Sequence, residues 1–377
     1  MSKRLVQYTN LFPRLRKYKL ILYIIASLLL LILTVSTYLY TIPLFTDDQQ
    51  RCDMVWMWPS YARVTAFDET HSKHSSRYGL YLYREQGKDR EPNENEDHEG
   101  FKTLLTGVPV LFIHGNAGSY EQVRSIAARC AEMFYEGNIQ EKYPEARNID
   151  FFTADFDEQL SAFWGMLDQV EYITDAIAFI ASLYPESPSG TNNIILIGHS
   201  MGGLVAKIAA ARNEGKVNTI VTLATPHADP FPWLLKTSEF NDEVGLVSIY
   251  SLTDLMVPPQ VIQPKRKYDY YFTVDAARLL GVPMDHQSMV WCGQLREKVA
   301  EMLMGISGLV TLQDRMKVVR EVFGGEEGPV PVYGVAYYKL KIMQSWVVVM
   351  GLVIFCLKWM FLVLVFIQLR KLYRRFK

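Results

Sequence analysis

A serine stands midway between two glycines at the end of an apolar run: "IILI" over residues 194–197, then Gly198, His199, Ser200, Met201 and Gly202. A serine hydroxyl attacks an ester only when a base takes its proton, so such a residue needs a sharp turn that presents its Oγ to a histidine. Glycine two positions to either side suits a strand-to-helix elbow, where strand, turn and helix crowd one another. The alternative is an ordinary Gly-rich turn whose serine only caps the helix. The two readings differ in whether an acid, a base and oxyanion donors fall at suitable places elsewhere in the chain.

Elbow serines are followed in chain order by the acid and then the histidine. Of seven histidines, only His227 and His286 follow Ser200. His227 closes the strand after the elbow helix and leaves no strand-end acid between itself and Ser200, so His286 is the candidate base. Asp254, in "SLTDLMVPP" just past the next strand, is the candidate acid. Asp285, beside His286, and Asp229, in the loop after His227, are its rivals. Upstream, an apolar run ends in His114, Gly115, Asn116, Ala117 and Gly118. The N–H groups of Asn116 and Ala117 can face a developing oxyanion, and that of Met201, directly after the nucleophile, is the second donor. The chemistry calls for no metal and no cofactor, and no ligands stand at metal spacing.

These residues need strands to carry them. Residues 78–85, "YGLYLYRE", alternate like an edge strand, and a polar tract over 88–100 reads as a solvated loop. Buried strands follow at 108–115 and 149–156, with helices at 122–135 and 167–184. After the elbow strand and its helix at 204–211 come strands at 218–227 and 245–254, then a helix at 288–304. Strand and helix in alternation imply a mostly parallel sheet with helices on both faces, and chemistry collected at the carboxyl ends of the strands. The expected fold is therefore α/β, of the α/β-hydrolase type.

With 377 residues, 49% of them hydrophobic, the chain has neither a disordered composition nor an internal repeat. Its apolar residues gather at both ends. Residues 20–40 read as an uncleaved transmembrane helix, and residues 342–369, with Lys358 snorkelling or paired, as a second. Basic tails at 1–19 and 370–377 place both termini in the cytoplasm. The hydrolase domain, 41–308, and a helix and linker, 309–341, then lie on the lumenal side. The net charge of −1 hides a division: all 40 acidic residues fall between positions 41 and 340, with only 26 of the 39 basic ones. That acidic segment is no nucleic-acid binder.

An oxidising compartment permits one disulfide among Cys52, Cys130 and Cys292. Cys52 with Cys292 is the preferred pair, because Cys130 sits in a helical pattern typical of a buried thiol. There is no N-x-S/T sequon. Pro264 to Phe272, "PKRKYDYYF", reads as an exposed loop and a following strand, with contact to a lipid phosphate or the bilayer as the alternative. Trp233 in "PFPWLLK" suits a lid for an acyl chain or a place in the core.

Several blocks together resemble one family. "CDMVWMWPSY", "RYGLYLYREQG", "HGNAGSYEQVRSIAA", "DFDEQLSAFWGMLDQVEYITDAI", "IGHSMGGLVAK", "LATPHADPF" and "DHQSMVWCGQL" follow in the order of the GPI inositol-deacylases, membrane-bound α/β-hydrolases of the endoplasmic reticulum. The resemblance covers about residues 52–295. It implies removal of the fatty acid esterified to the inositol of newly made GPI-anchored proteins, with Ser200 as nucleophile and His286 as base, and a GPI-anchored protein or GPI lipid as substrate. Larger members of that family continue into a further lumenal domain and many spans, which leaves two other readings open: a membrane-anchored lipase acting on another lipid ester, and an inactive protein that binds GPI cargo.

Overall fold

The computed structural model describes residues 51–91, 98–156, 162–184, 194–228, 243–257, 261, 262, 264 and 269–324, with isolated positions 29 and 351. Its compact unit Gln50–Pro331 holds one sheet of eight strands, in the order β1-β2-β4-β3-β5-β6-β7-β8. The strands are β1 (Pro59–Arg63), β2 (Gly79–Glu85), β3 (Val108–Ile113), β4 (Ile149–Asp155), β5 (Ile194–His199), β6 (Val217–Leu223), β7 (Gly245–Tyr250) and β8 (Tyr271–Asp275). β2 runs antiparallel to both its neighbours, and every pairing from β4 to β8 is parallel.

The continuous apolar runs of the central strands follow from burial on both faces. Phe152, Leu111, Leu196, Ile220 and Leu246 are register partners in a row across the sheet and belong to one core. Their chain neighbours Phe151, Val110, Phe112, Ile195, Ile197, Val221 and Val247 point into the other core. The first core is closed by α4 (Ala162–Leu183) and α5 (Met201–Ala211). The second is closed by α2 (Arg124–Tyr135), α7 (Gly293–Ser307) and α8 (Leu312–Phe323). Shorter helices α1 (His98–Thr103), α3 (Ile139–Lys142) and α6 (Ala276–Leu280) complete the described set. This is the architecture of an α/β-hydrolase.

Several boundaries depart from the sequence reading: the strand read over 245–254 ends at Tyr250, the helix read over 288–304 is a 3-10 turn Ser288–Val290 followed by α7, and the tract read as a loop over 88–100 runs into α1 at His98. β2 is not an edge strand: β1 covers its free side, and all but one of its residues are buried. The short β1 escapes a periodicity search because it opens on Pro59, which is tolerated at the first position of an edge strand. Residues 224–227 are not strand, since Ala224 turns the chain at φ 51° directly after β6.

One segment outside the sheet is pinned at both ends. Cys52 is disulfide-bonded to Cys292, the Gly293 N–H donates to the Asp53 carbonyl at 2.8 Å, and the Trp58 N–H donates to Glu85 Oε1 at 2.8 Å. Among the described residues Cys130 is a buried free thiol. Between the pins alternate residues point outward, leaving Met54 84%, Trp56 90% and Trp58 67% exposed. The disulfide closes a loop of 240 residues. Replacing Cys52 and Cys292 together by alanine is expected to cost about 2–5 kcal/mol. A thermal midpoint of the detergent-solubilised full chain checks this; an unchanged midpoint would remove the bond from the stability account.

Among the described residues no helix is long and apolar enough to cross a membrane. Residues 20–40 and 342–369 lie outside the described set apart from positions 29 and 351, both helical.

Candidate active site

β5 ends at His199 and α5 begins at Met201, so the chain reverses from strand to helix on Ser200 alone. Ser200 takes φ 55° and ψ −124°, a conformation that L residues avoid and that is held only where the surroundings over-determine it. Here they do. The Ser200 N–H donates to the Leu223 carbonyl at 2.8 Å, and its carbonyl accepts from the Gly203 N–H at 3.1 Å. A Cβ on Gly202 would stand 2.1 Å from the Ile113 carbonyl oxygen, and one on Gly198 would stand 2.4 Å from the Gly203 Cα. Both glycines are required by the close approach of backbone to backbone, so the spacing G-x-S-x-G is a packing requirement of the elbow.

Asp254 lies just beyond β7 and is 1% exposed. Its Oδ1 accepts from the N–H groups of Met256 at 2.7 Å and Val257 at 3.2 Å. Its Oδ2 lies 2.7 Å from His286 Nδ1. A carboxylate oxygen only accepts, so the His286 proton sits on Nδ1 and the Nε2 lone pair is left to act as a base. The base loop is tied to the acid loop a second time, because the Ser251 and Thr253 hydroxyls donate to the Met284 carbonyl at 2.7 and 2.8 Å.

The rivals stand elsewhere. Asp285 Oδ1 accepts from the Ser288 N–H at 2.8 Å, at the start of the short 3-10 turn Ser288–Val290. His227 is fully buried, its Nε2 lies 2.9 Å from Thr222 Oγ1, and burial, with Lys207 beside it, pushes its pKa well down. Asp229 and Trp233 fall outside the described residues.

The turn after β3 lies against the elbow: a Cβ on Gly115 would meet Ser200 Cβ at 2.7 Å and Ser200 Oγ at 3.3 Å. The Gly118 N–H donates to the Gly115 carbonyl at 3.0 Å, and Ala117 within this tight turn has φ 53°. Asn116 and Ala117 are exposed at its tip. The Met201 N–H, at the first position of α5, has no acceptor within its own helix.

His114 was not singled out by its spacing, yet it holds this turn. Its Nδ1–H donates to the Gly115 carbonyl at 2.8 Å, and its Nε2 accepts from the Phe156 N–H at 3.3 Å, joining the ends of β3 and β4. Beyond the turn, the Ser119 hydroxyl and Gln122 form a capping box on the turn Tyr120–Val123, and Gln122 Nε2 donates to Gln287 Oε1 at 3.4 Å. The turn after β3 is thereby connected to the residue beside His286. Sequence spacing could not have found these links, because most of their partners are backbone atoms.

The family description "PGAP1-like alpha/beta domain" matches residues 104–244. A GPI inositol-deacylase of Candida albicans is 64% identical over 384 residues, covering 100% of this chain and 98% of its own length. A GPI inositol-deacylase of Debaryomyces hansenii is 39% identical over 346 residues, covering 78% of this chain but 33% of its own length, so this chain spans about a third of that longer relative. A solved α/β serine hydrolase of Xanthomonas campestris is 14% identical, with a TM-score of 0.41 over 67% of this chain.

Proposed function

This chain belongs to the GPI inositol-deacylase family, and from that membership we propose that Ser200, His286 and Asp254 hydrolyse the fatty acyl ester on the inositol ring of GPI anchors. The observation that carries the assignment of residues is the 2.7 Å contact between His286 Nδ1 and the buried Asp254 carboxylate.

The steps follow from the groups present. His286 Nε2 takes the Ser200 proton as Oγ attacks the ester carbonyl carbon. The carbonyl oxygen gathers negative charge and is met by the N–H of Met201 and those of Asn116 and Ala117. Asp254 stabilises the imidazolium that forms. When the carbon–oxygen bond to the inositol breaks, the ring oxygen takes the proton from His286 and the acyl group stays on Ser200. Water, deprotonated by His286, attacks the acyl-serine; the fatty acid leaves and Ser200 recovers its proton. The proton that Ser200 gave up ends on the inositol oxygen and one from water replaces it, so the enzyme returns to its starting state.

We place the protein in the endoplasmic reticulum membrane, spanning it at residues 20–40 and 342–369, with the domain over 41–308 in the lumen, its continuation over 309–341, and the tails 1–19 and 370–377 in the cytoplasm. The basic tails and apolar stretches support this reading, as does the outward row of Met54, Trp56 and Trp58, whose indoles suit a membrane–water interface. A sequon placed within residues 88–100 is expected to be glycosylated, and one after Lys377 is not. Gel shift with and without glycosidase reads both, and the opposite pattern overturns the topology.

The reaction itself is tested in cells lacking their own inositol deacylase. A bacterial phosphatidylinositol-specific phospholipase C needs the free ring 2-hydroxyl as internal nucleophile, so an acyl group there blocks release. Expression of this chain is expected to convert surface GPI proteins from resistant to sensitive. If the chain accumulated, reacted with a fluorophosphonate and left them resistant, another lipid ester would replace GPI as the substrate.

A further inference from the structure

His199, between Gly198 and the nucleophile, takes no part in the steps above. Its Nε2 lies 3.0 Å from the backbone carbonyl oxygen of His286, and the two imidazole rings stand 4.8 Å apart. A carbonyl oxygen only accepts, so the His199 ring carries its proton on Nε2 and donates it. The side chain is 2% exposed, and burial together with the neighbouring His286 holds its pKa down to about 4, which keeps it neutral near pH 7. Its Nδ1 is buried without a hydrogen-bond partner among the described residues. A ring that leaves one nitrogen unsatisfied gives up stability. Its other nitrogen is committed to the backbone of the base.

We propose that His199 is a positioning residue, a neutral donor that fixes the backbone of His286 against the strand carrying Ser200. This rests on His286 being the base. The other described ties on the base loop lead elsewhere: Asp254, Ser251 and Thr253 fasten it to the acid loop, and Gln287 to Gln122 beyond the oxyanion turn. His199 alone among these sits on β5, one residue from the nucleophile. Without its donor, His286 stays paired with Asp254 while its distance to Ser200 Oγ loses a restraint. Proton transfer from Ser200 is then impaired, and the surfaces that bind substrate are untouched.

The test uses the full chain in detergent and a water-soluble p-nitrophenyl ester. His199→Phe keeps a ring of similar size without a donor, and His199→Gln returns an amide N–H at about the reach of Nε2. The Phe variant is expected to lose about 10²-fold in kcat, as small misplacements of reacting groups do. Its KM should stay within about threefold of wild type. Fluorophosphonate labelling should slow in parallel, and the Gln variant should recover at least about tenfold in kcat. Equal loss in both variants, or a wild-type kcat in the Phe variant, overturns the proposal. Should the Phe variant fail to fold, ¹⁵N-histidine NMR of the wild type decides: an Nε2–H tautomer at His199 supports it, and an Nδ1–H tautomer contradicts it. His286→Ala separates the two readings. If that variant keeps its turnover the base assignment fails, whereas if it is dead and the Phe variant fully active only the positioning role fails.

Discussion

Ser200→Ala is expected to abolish deacylation, with a fall in turnover on the order of 10⁵–10⁶-fold, the scale seen when a triad serine is removed. The substitution deletes one oxygen at a half-buried position and leaves both backbone hydrogen bonds of the elbow in place. Ser200 already holds its positive φ, so alanine inherits the same strain and adds little. Stability should therefore change by less than about 1 kcal/mol, and the variant should accumulate as the wild type does. Fluorophosphonate labelling should vanish together with turnover. Labelling that persisted in the alanine variant would put the nucleophile elsewhere.

Asp254→Asn is expected to lower kcat by about 10⁴, the loss measured when the same change is made in a serine protease. The asparagine oxygen can still accept from Met256 and Val257, so the loop is preserved. Its amide NH₂ then faces His286 Nδ1 and can only donate. The imidazole must offer Nδ1 as acceptor and carry its proton on Nε2, the wrong nitrogen for a base. Asp285→Asn keeps the oxygen that accepts from the Ser288 N–H and should change kcat by less than about threefold. Steady-state kinetics on both variants distinguish them, and a larger loss at Asp285 than at Asp254 would reverse the assignment.

What the sequence could and could not disclose follows from the range of the forces involved. The elbow is written locally, because Gly198 and Gly202 are each forced by a backbone atom close by in the fold, and the apolar runs around them report burial on both faces of the sheet. The pairing of Cys52 with Cys292 was within reach because burial in a helix removed Cys130 from the choice. The choice of acid was narrower. Asp254 and Asp285 both lie in loops, the first after β7 and the second after α6, and only the direction of each carboxylate separates Asp254, turned to His286, from Asp285, turned to Ser288. His199 and His114 left no mark in the spacing, since a bond to a carbonyl constrains a donor and not the identity of the residue it reaches. β1 was missed for a related reason: five residues opening on proline carry too few alternations to register.

The most direct measurement is to incubate the purified full-length chain with inositol-acylated GPI and follow the products by mass spectrometry. The account predicts that free fatty acid and inositol-deacylated GPI appear in equal amounts. When the reaction is run in ¹⁸O-labelled water, the heavy oxygen enters the fatty acid and not the inositol, because water attacks the acyl-serine. Preparations carrying Ser200→Ala should release none. Intact acylated GPI after prolonged incubation with a chain that is folded and labelled at Ser200 would contradict the assignment of this substrate to this site.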